Sequence, residues 1–455
     1  MSTPANLPVP VSRLSRLARL GSLVSGIAAG MVGEGVRQLA GGQRPKLGDL
    51  LLTPANARRV ADQLAHLRGA AMKVGQLLSM DAGDLLPPEL REILARLRAD
   101  ARPMPMSQLV AVLDTEWGLG WDRHFERFSF TPMAAASIGQ VHAARLKDGR
   151  QLAIKVQYPG VRESIASDVD NVATLLRISG LIPRGIDFTP LLAEAKQQLQ
   201  DEADYRREGE LLSHYGELLV DDGHFVLPTL IDALSTRSVL SMTFIEGTPV
   251  EALADAPQDK RDHIMARAFG LFFRELFEFR LMQTDPNFAN YRYDAASGRL
   301  GLLDFGATRS LPEALVGNYQ RLLSAGMNGD RAALEDAAQA IGYFSVDIAP
   351  RHRQQVIDIF ILACEPLRCD GPYDFAGAGL ALRMRDLGLT LGRDRDFWHS
   401  PPIDAIMLHR KAAGLYLLAA RLQARVNIRQ IFLSQTTETP PKQVQELPSC
   451  APNPI

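Results

Sequence analysis

Gln283-Thr284-Asp285-Pro286-Asn287-Phe288-Ala289-Asn290, followed shortly by Leu302-Leu303-Asp304-Phe305-Gly306, is the stretch whose reading decides the fold. The first segment sets an Asp five residues before an Asn in a loop right after a helical pattern. The second puts an Asp at the end of an apolar strand. Asn290 and Asp304 offer the hard oxygen ligands that Mg²⁺ prefers, with phosphates and waters left to complete its shell. Upstream, Gln151-Leu152-Ala153-Ile154-Lys155-Val156-Gln157 reads as a strand. Leu152, Ile154 and Val156 share one face of it, so Lys155 projects from the other with Ala153. A lysine on a strand wall neutralises phosphate oxygens, provided a carboxylate holds it. Glu208, in the helical segment Glu202-Ala203-Asp204-Tyr205-Arg206-Arg207-Glu208, is the candidate partner.

Each piece alone has a plain structural alternative. Asp285 and Asn290 suit an Asx turn capping the preceding helix. Lys155 with Glu208 suits a solvated ion pair worth ~1 kcal/mol or less. What favours a site is the order of strand Lys, helix Glu, loop Asp with Asn five on, and then Asp-Phe-Gly.

That order resembles the protein kinase fold, and further motifs narrow the likeness. Where ordinary kinases carry a Gly-rich loop, this chain has Ala134-Ala135-Ala136-Ser137-Ile138-Gly139-Gln140, and Lys73-Val74-Gly75-Gln76 stands in a helical region ahead of it. Together with Glu202-x-Asp204 and Gln-Thr-Asp-Pro-Asn, these are similar to the UbiB / aarF-domain atypical kinase family, in its coenzyme Q-associated branch. The resemblance implies an α+β, bilobal protein-kinase-like fold with a helical N-terminal Lys-x-Gly-Gln extension. It also implies an atypical, kinase-like Mg²⁺-dependent ATPase that supports ubiquinone biosynthesis at a membrane. Carried over, Lys155 holds phosphate, Glu208 orients it, Asp285 takes the catalytic-loop role, and Asn290 and Asp304 hold Mg²⁺. Ala134, Ala135, Ala136, Ser137, Ala153 and Lys155 line the ATP or ADP site. Lys73 and Gln76 gate the cleft, facing Glu202 and Asp204. Read from the residues alone, the Lys73 segment is equally a helix turn with a small residue at a packing contact.

Physical chemistry agrees with part of this. Alanine, unlike glycine, is penalised at positive φ, so Ala134 to Ala136 cannot wrap phosphates as a Gly-rich loop does. A Lys73 carried into a cleft rich in carboxylates would be held there and would block a peptide, which is self-inhibition. The chain departs from kinase habit in two places: Gln283-Thr284 replaces His-Arg before Asp285, and no Ala-Pro-Glu follows Asp304. Both departures weigh against phosphorylation of protein substrates. Two other readings stay open: a nucleotide-gated lipid-binding scaffold with little catalysis, and a kinase for a small molecule or protein.

The rest of the sequence sets the boundaries. With 455 residues, 46% hydrophobic and 22% charged, the chain is globular and long enough for more than one packed unit. Its net charge of -2 gives no overall attraction to nucleic acid. Cys364, Cys369 and Cys450 form neither a disulfide framework nor a zinc motif, which suggests a reducing compartment. At the N-terminus, Arg13, Arg16 and Arg19 alternate with Leu14, Leu17, Leu20 and Leu23 ahead of the first acid, Glu34. This fits a membrane-associating segment, a helix packed on the domain or a targeting signal. The uncharged run from Leu20 to Gly33 is shorter than the ~20 residues a bilayer span needs.

The predicted organisation is an amphipathic segment over 1–40, a helical Lys-x-Gly-Gln extension over 41–115, a kinase-like N-lobe with inserted helices over 116–247, a helical C-lobe over 248–435 and a disordered tail over 436–455. A helix is expected from Arg261 to Leu281, with Phe269, Phe272, Phe273 and Leu276 as its buried stripe. His142 reads as a packed strand residue rather than a ligand. The expected partners are nucleotide, membrane lipid or quinone intermediates and quinone-biosynthesis proteins, with monomer and homodimer both open. The expected location is cytoplasmic and peripheral to a bacterial inner membrane, or else mitochondrial.

Overall fold

The computed structural model describes Ala70, Lys73 and residues 103–178, 189–285, 287–344, 348–392 and 401–437. The expectations for residues 1–40, for Gln76, for nearly all of the helical extension ahead of residue 103 and for the tail past Thr437 fall outside the described residues. Among the described residues, no helix is long and apolar enough to cross a membrane. These residues form two compact units. The first extends to Val220 and resumes at Phe225–Glu246 and Gly301–Ala307, while the second takes Asp221–His224, Gly247–Leu300 and Thr308 onward.

The first unit is built on a five-stranded antiparallel sheet. Its strands are Phe125–Phe128 (β1), Ala134–Ala135 (β2), Gly139–Leu146 (β3), Gln151–Gln157 (β4) and Val239–Thr243 (β5), in the order β1-β3-β4-β5 with β2 paired to β3. The β3–β4 hairpin turns as its Lys147-Asp148-Gly149 sequence requires. Gly149 takes φ 91, a region open to glycine at no steric cost, and Asp148 accepts the Arg150 amide at 3.0 Å. The alternation read from sequence is realised. Leu152, Ile154 and Val156 are fully buried against Leu109 and Leu113 of helix Met106–Trp117 (α1), together with Trp121 and Phe125. Lys155 consequently leaves the sheet on its other face. His142 is buried in β3, stacked on Phe128 and bonded to the Ser129 carbonyl oxygen at 2.7 Å.

Among the described residues, the α-helices between β4 and β5 are Val161–Ile178 (α2), Thr189–Glu202 (α3) and Tyr205–Leu218 (α4). Asp204 stands between the last two and caps α4, accepting the Arg207 amide at 3.4 Å.

In the second unit, Gln258–Arg274 (α5) buries Phe269, Phe272 and Phe273, and Leu276 is buried just beyond it. The helix expected to reach Leu281 stops earlier. Glu275–Phe279 is a π-helical turn, Arg280 adopts a left-handed φ of 50, and Leu281–Gln283 is already a strand (β6). The local cause is the reversal at Arg280, which ends the i→i−4 ladder that the apolar spacing alone would continue. Tyr291–Tyr293 (β7) follows the loop, and Thr308–Ser310 (β8) pairs antiparallel with β6, Thr308 opposite Gln283. The Asp294 to Gly298 turn closes through the Asp294 amide and the Arg299 carbonyl at 3.0 Å. Beyond it come Glu313–Asn328 (α6), Arg331–Ile341 (α7), Pro350–Ala363 (α8), Leu380–Gly392 (α9), Ile403–Arg421 (α10) and Ile428–Thr437 (α11). Thr436 and Thr437, expected to open the tail, are the last turn of α11.

Candidate nucleotide site

Within the first unit, Lys155 sits between two carboxylates. Its Nζ donates to Glu208 Oε1 and Oε2 at 2.8 and 2.9 Å and lies 3.4 Å from Asp304 Oδ2. The side chain is 10% exposed and Glu208 only 2%. Burial would lower the lysine, but Asp304 and Glu208 outweigh it and hold the ammonium well above its ordinary range. Burial pushes the Glu208 carboxyl up to about 7, against the pull of Lys155. For Asp304 burial acts upward as well, yet Lys155 and the Gly306 amide prevail and bring it below the usual carboxylate value. The sequence alternative of a solvated ion pair therefore does not describe Lys155 and Glu208, which are withdrawn from water.

Helix α4 does most of the positioning. Besides Glu208, it carries Tyr205, whose ring lies 5.1 Å from the Lys155 ammonium, and Arg207, which donates to the Gly306 carbonyl at 3.1 Å. Its Tyr215 packs on the buried Phe305 at 4.9 Å between ring centres. Asp304 Oδ1 accepts the Gly306 amide at 3.0 Å. The Asp-Phe-Gly triplet is thus fastened at its phenylalanine and its glycine, which leaves the Asp304 side chain 34% exposed. With its charge retained and lone pairs to spare, this carboxylate suits a metal ion that already carries phosphate and water.

The alanine loop is a strand rather than a glycine wrap. Ala134 and Ala135 pair with Val141 and Gln140, and the Ala136 amide reaches the Gly139 carbonyl at 2.9 Å. Among the described residues, positive φ outside glycine occurs at Arg280 and Gln423, not in this loop. Glu202 gathers two of the predicted residues: it pairs with the buried Lys73, and its Oε2 accepts the Ser137 hydroxyl at 2.9 Å. Asp204, expected beside Lys73 as part of the gate, caps α4 and faces Arg237 at 3.4 Å and Arg162 at 3.7 Å. Ala153 is opposite Ala143 and Met242 in the sheet.

The second unit holds the other predicted pair. Asn290 donates to Asp285 Oδ2 at 3.0 Å, so its amide oxygen is turned away from that carboxylate and free in type to be a hard ligand. Asn287 forms an Asx turn, accepting the Ala289 amide at 3.1 Å. Three residues beside Asp285 escaped sequence reasoning. Arg410 of α10 approaches Asp285 Oδ1 at 3.4 Å. Its neighbour Lys411, 2% exposed, pairs with the equally buried Glu275, whose Oε1 accepts the Gln283 amide at 3.4 Å. The available signal was a charged dipeptide inside the apolar run Ala405 to Leu418, because a buried charge needs a partner. Among the described residues, neither polar atom of the buried Gln283 side chain has a hydrogen-bond partner.

Residues 96–338 match the ABC1 atypical kinase-like domain. The chain is 39% identical to the rat atypical kinase COQ8B, mitochondrial, over 93% of its own length and 80% of that protein's. It is 37% identical to the atypical kinase COQ8, mitochondrial, of Saccharomyces cerevisiae, over 93% and 85%. A solved Mycobacterium tuberculosis protein, Rv3197 in complex with erythromycin, superposes with a TM-score of 0.57 at 25% identity, covering 82% of this chain and 93% of that one. The fold and the match define a kinase-like protein of mixed α and β structure. The chain belongs to the ABC1/UbiB family of atypical kinases.

Proposed function

We propose that the chain binds ATP or ADP with Mg²⁺ and hydrolyses ATP in support of ubiquinone (coenzyme Q) biosynthesis, peripheral to the inner membrane of a bacterium or mitochondrion. The observation that carries the proposal is Lys155, a cation held out of water between Glu208 and Asp304. Such a lysine neutralises α- and β-phosphate oxygens, and Glu208 fixes its position. Asp304 and Asn290 are the proposed Mg²⁺ ligands, by the chemistry of their oxygens. Bound Mg²⁺ supplies positive charge against the phosphates. Asp285 would accept a hydrogen bond from the attacking water or hydroxyl and so orient it. Ala134, Ala135, Ala136, Ser137 and Ala153 are proposed as nucleotide-lining positions, and Gln76 joins Lys73, Glu202 and Asp204 as proposed gating residues. The names of the relatives support the quinone assignment and the mitochondrial setting. The test is phosphate release with liposomes present, wild type against Asp304→Asn. Loss of release in the variant is expected, and equal rates would end the proposal.

A second reading, a nucleotide-gated scaffold that holds lipid or quinone intermediates with hydrolysis incidental, draws support from the shared grip of Glu202 on Lys73 and Ser137. Rescue of a quinone-deficient strain by a variant that binds nucleotide without hydrolysing it would favour that reading.

A further inference from the structure

We infer that Arg410 and Lys411 are positioning residues that hold the Asp285 loop in register from a distant helix, in place of the His-Arg dipeptide the loop lacks. The inference rests on the reading of Asp285 as the catalytic-loop aspartate. Successive residues of an α-helix diverge by about 100° around its axis, so adjacent charges on one turn reach different targets. Here they reach both ends of one segment. Lys411 takes Glu275, ahead of β6, and Arg410 takes Asp285, behind it. Glu275 also accepts the Gln283 amide from within β6, so α10, the π-helical turn, the strand and the loop are joined in a ring of contacts. Asn290 completes it on the far oxygen of Asp285.

The rotation of α10 that aims these two cations is fixed by the preceding residue. His409 Nε2 lies 2.8 Å from the Tyr343 hydroxyl and 3.2 Å from that of Tyr319, and its ring stacks on Tyr343. Burial lowers the His409 imidazole to about 4, so the anchor is neutral at ordinary pH. Arg410 is 10% exposed and permanently charged, and its planar fork is matched to a carboxylate as a lysine's point charge is not. A carboxylate gripped on both oxygens loses rotamer freedom, which favours a fixed orientation of the group it accepts.

The test compares Arg410→Gln, Arg410→Lys and Asp285→Asn in the full chain by ATP turnover, nucleotide affinity and amide hydrogen exchange. Arg410→Gln is expected to lower kcat by roughly 10- to 100-fold with KM for ATP within about threefold, as for a misplaced rather than absent group. Exchange at Gln283, Thr284, Asp285 and Asn290 should quicken about tenfold or more, while Gln258–Arg274 is unchanged, and Arg410→Lys should restore part of both effects. Wild-type kcat in Arg410→Gln while Asp285→Asn is inactive would overturn the inference, as would exchange that quickens equally in both segments. Equal turnover in wild type and Asp285→Asn would sink the catalytic reading alone, and the exchange pattern would still decide whether Arg410 holds the loop.

Discussion

Replacing Lys155 by methionine removes the cation from between two carboxylates while keeping the aliphatic stem. Stripping one partner from a buried ion pair typically costs about 3–5 kcal/mol, because a charge is left without compensation. The structure places the value at the low end of that range or below it, depending on pH. Burial already pushes the Glu208 carboxyl up to about 7 against the pull of Lys155, so in the variant it takes up a proton rather than remaining charged. Each pKa unit is worth about 1.4 kcal/mol. The expected loss is therefore roughly 3 kcal/mol at pH 8, shrinking to about 1–2 kcal/mol at pH 5.5, where a neutral Glu208 needs no counter-charge. The sign follows from proton counts. Glu208 has a folded pKa above its unfolded 4.5, so its contribution is full below pH 4.5 and is lost as pH rises through about 7. Asp304 is depressed below 3.8 and acts oppositely: its contribution is present above that value and fades as pH falls below it. Burial drives the Glu208 trend against the pull of Lys155, while Lys155 and the Gly306 amide depress Asp304, so the pH 5.5 to 8 interval isolates Glu208. Urea denaturation of wild type, Lys155→Met, Glu208→Gln and the double variant at both pH values gives the coupling energy. A single-variant loss under about 1 kcal/mol at both pH values, or effects of Lys155→Met and Glu208→Gln that simply add, would refute the reasoning.

Gly139→Ala should destabilise the first unit by about 2 kcal/mol and weaken ADP binding. Its Cβ would lie 2.3 Å from the Val156 carbonyl oxygen, so β3 and β4 must part where Gly139 pairs with Gln157; wild-type urea stability would contradict this. Asp204→Ala should cost about 1 kcal/mol by thermal unfolding through loss of the α4 cap, whereas Asp204→Asn should keep most of it. An alanine variant as stable as wild type would show that the cap is idle.

How much of this was readable beforehand depended on sequence distance. The β3–β4 hairpin and the face bearing Lys155 follow from period-two alternation and one turn sequence, which are local properties. The Lys155–Glu208–Asp304 group is spread over 149 positions, yet it was legible because its members occur in a recognisable order. Arg410 and Lys411 have no such order to betray them, since their partners stand 125 and 136 positions away. The end of α5 was misjudged for a different reason. Apolar spacing continues through Leu281, but the backbone reverses at Arg280, a residue type that gives no warning of a left-handed φ. That Asp204 caps α4 was not legible, because a carboxylate beside a basic cluster and a carboxylate at a helix start look alike in one dimension.

Glu202 is a single acceptor with two claimants, Lys73 on one oxygen and the Ser137 hydroxyl at the other. A ligand that recruited Ser137 would leave the lysine as sole claimant and so alter the strength of that tie. Reciprocity then requires the converse: whatever lifts Lys73 away would change, by the same factor, how well such a ligand is held at Ser137. The carboxylate would thus act as a balance point through which an upstream event registers in nucleotide occupancy, with no movement of the sheet required.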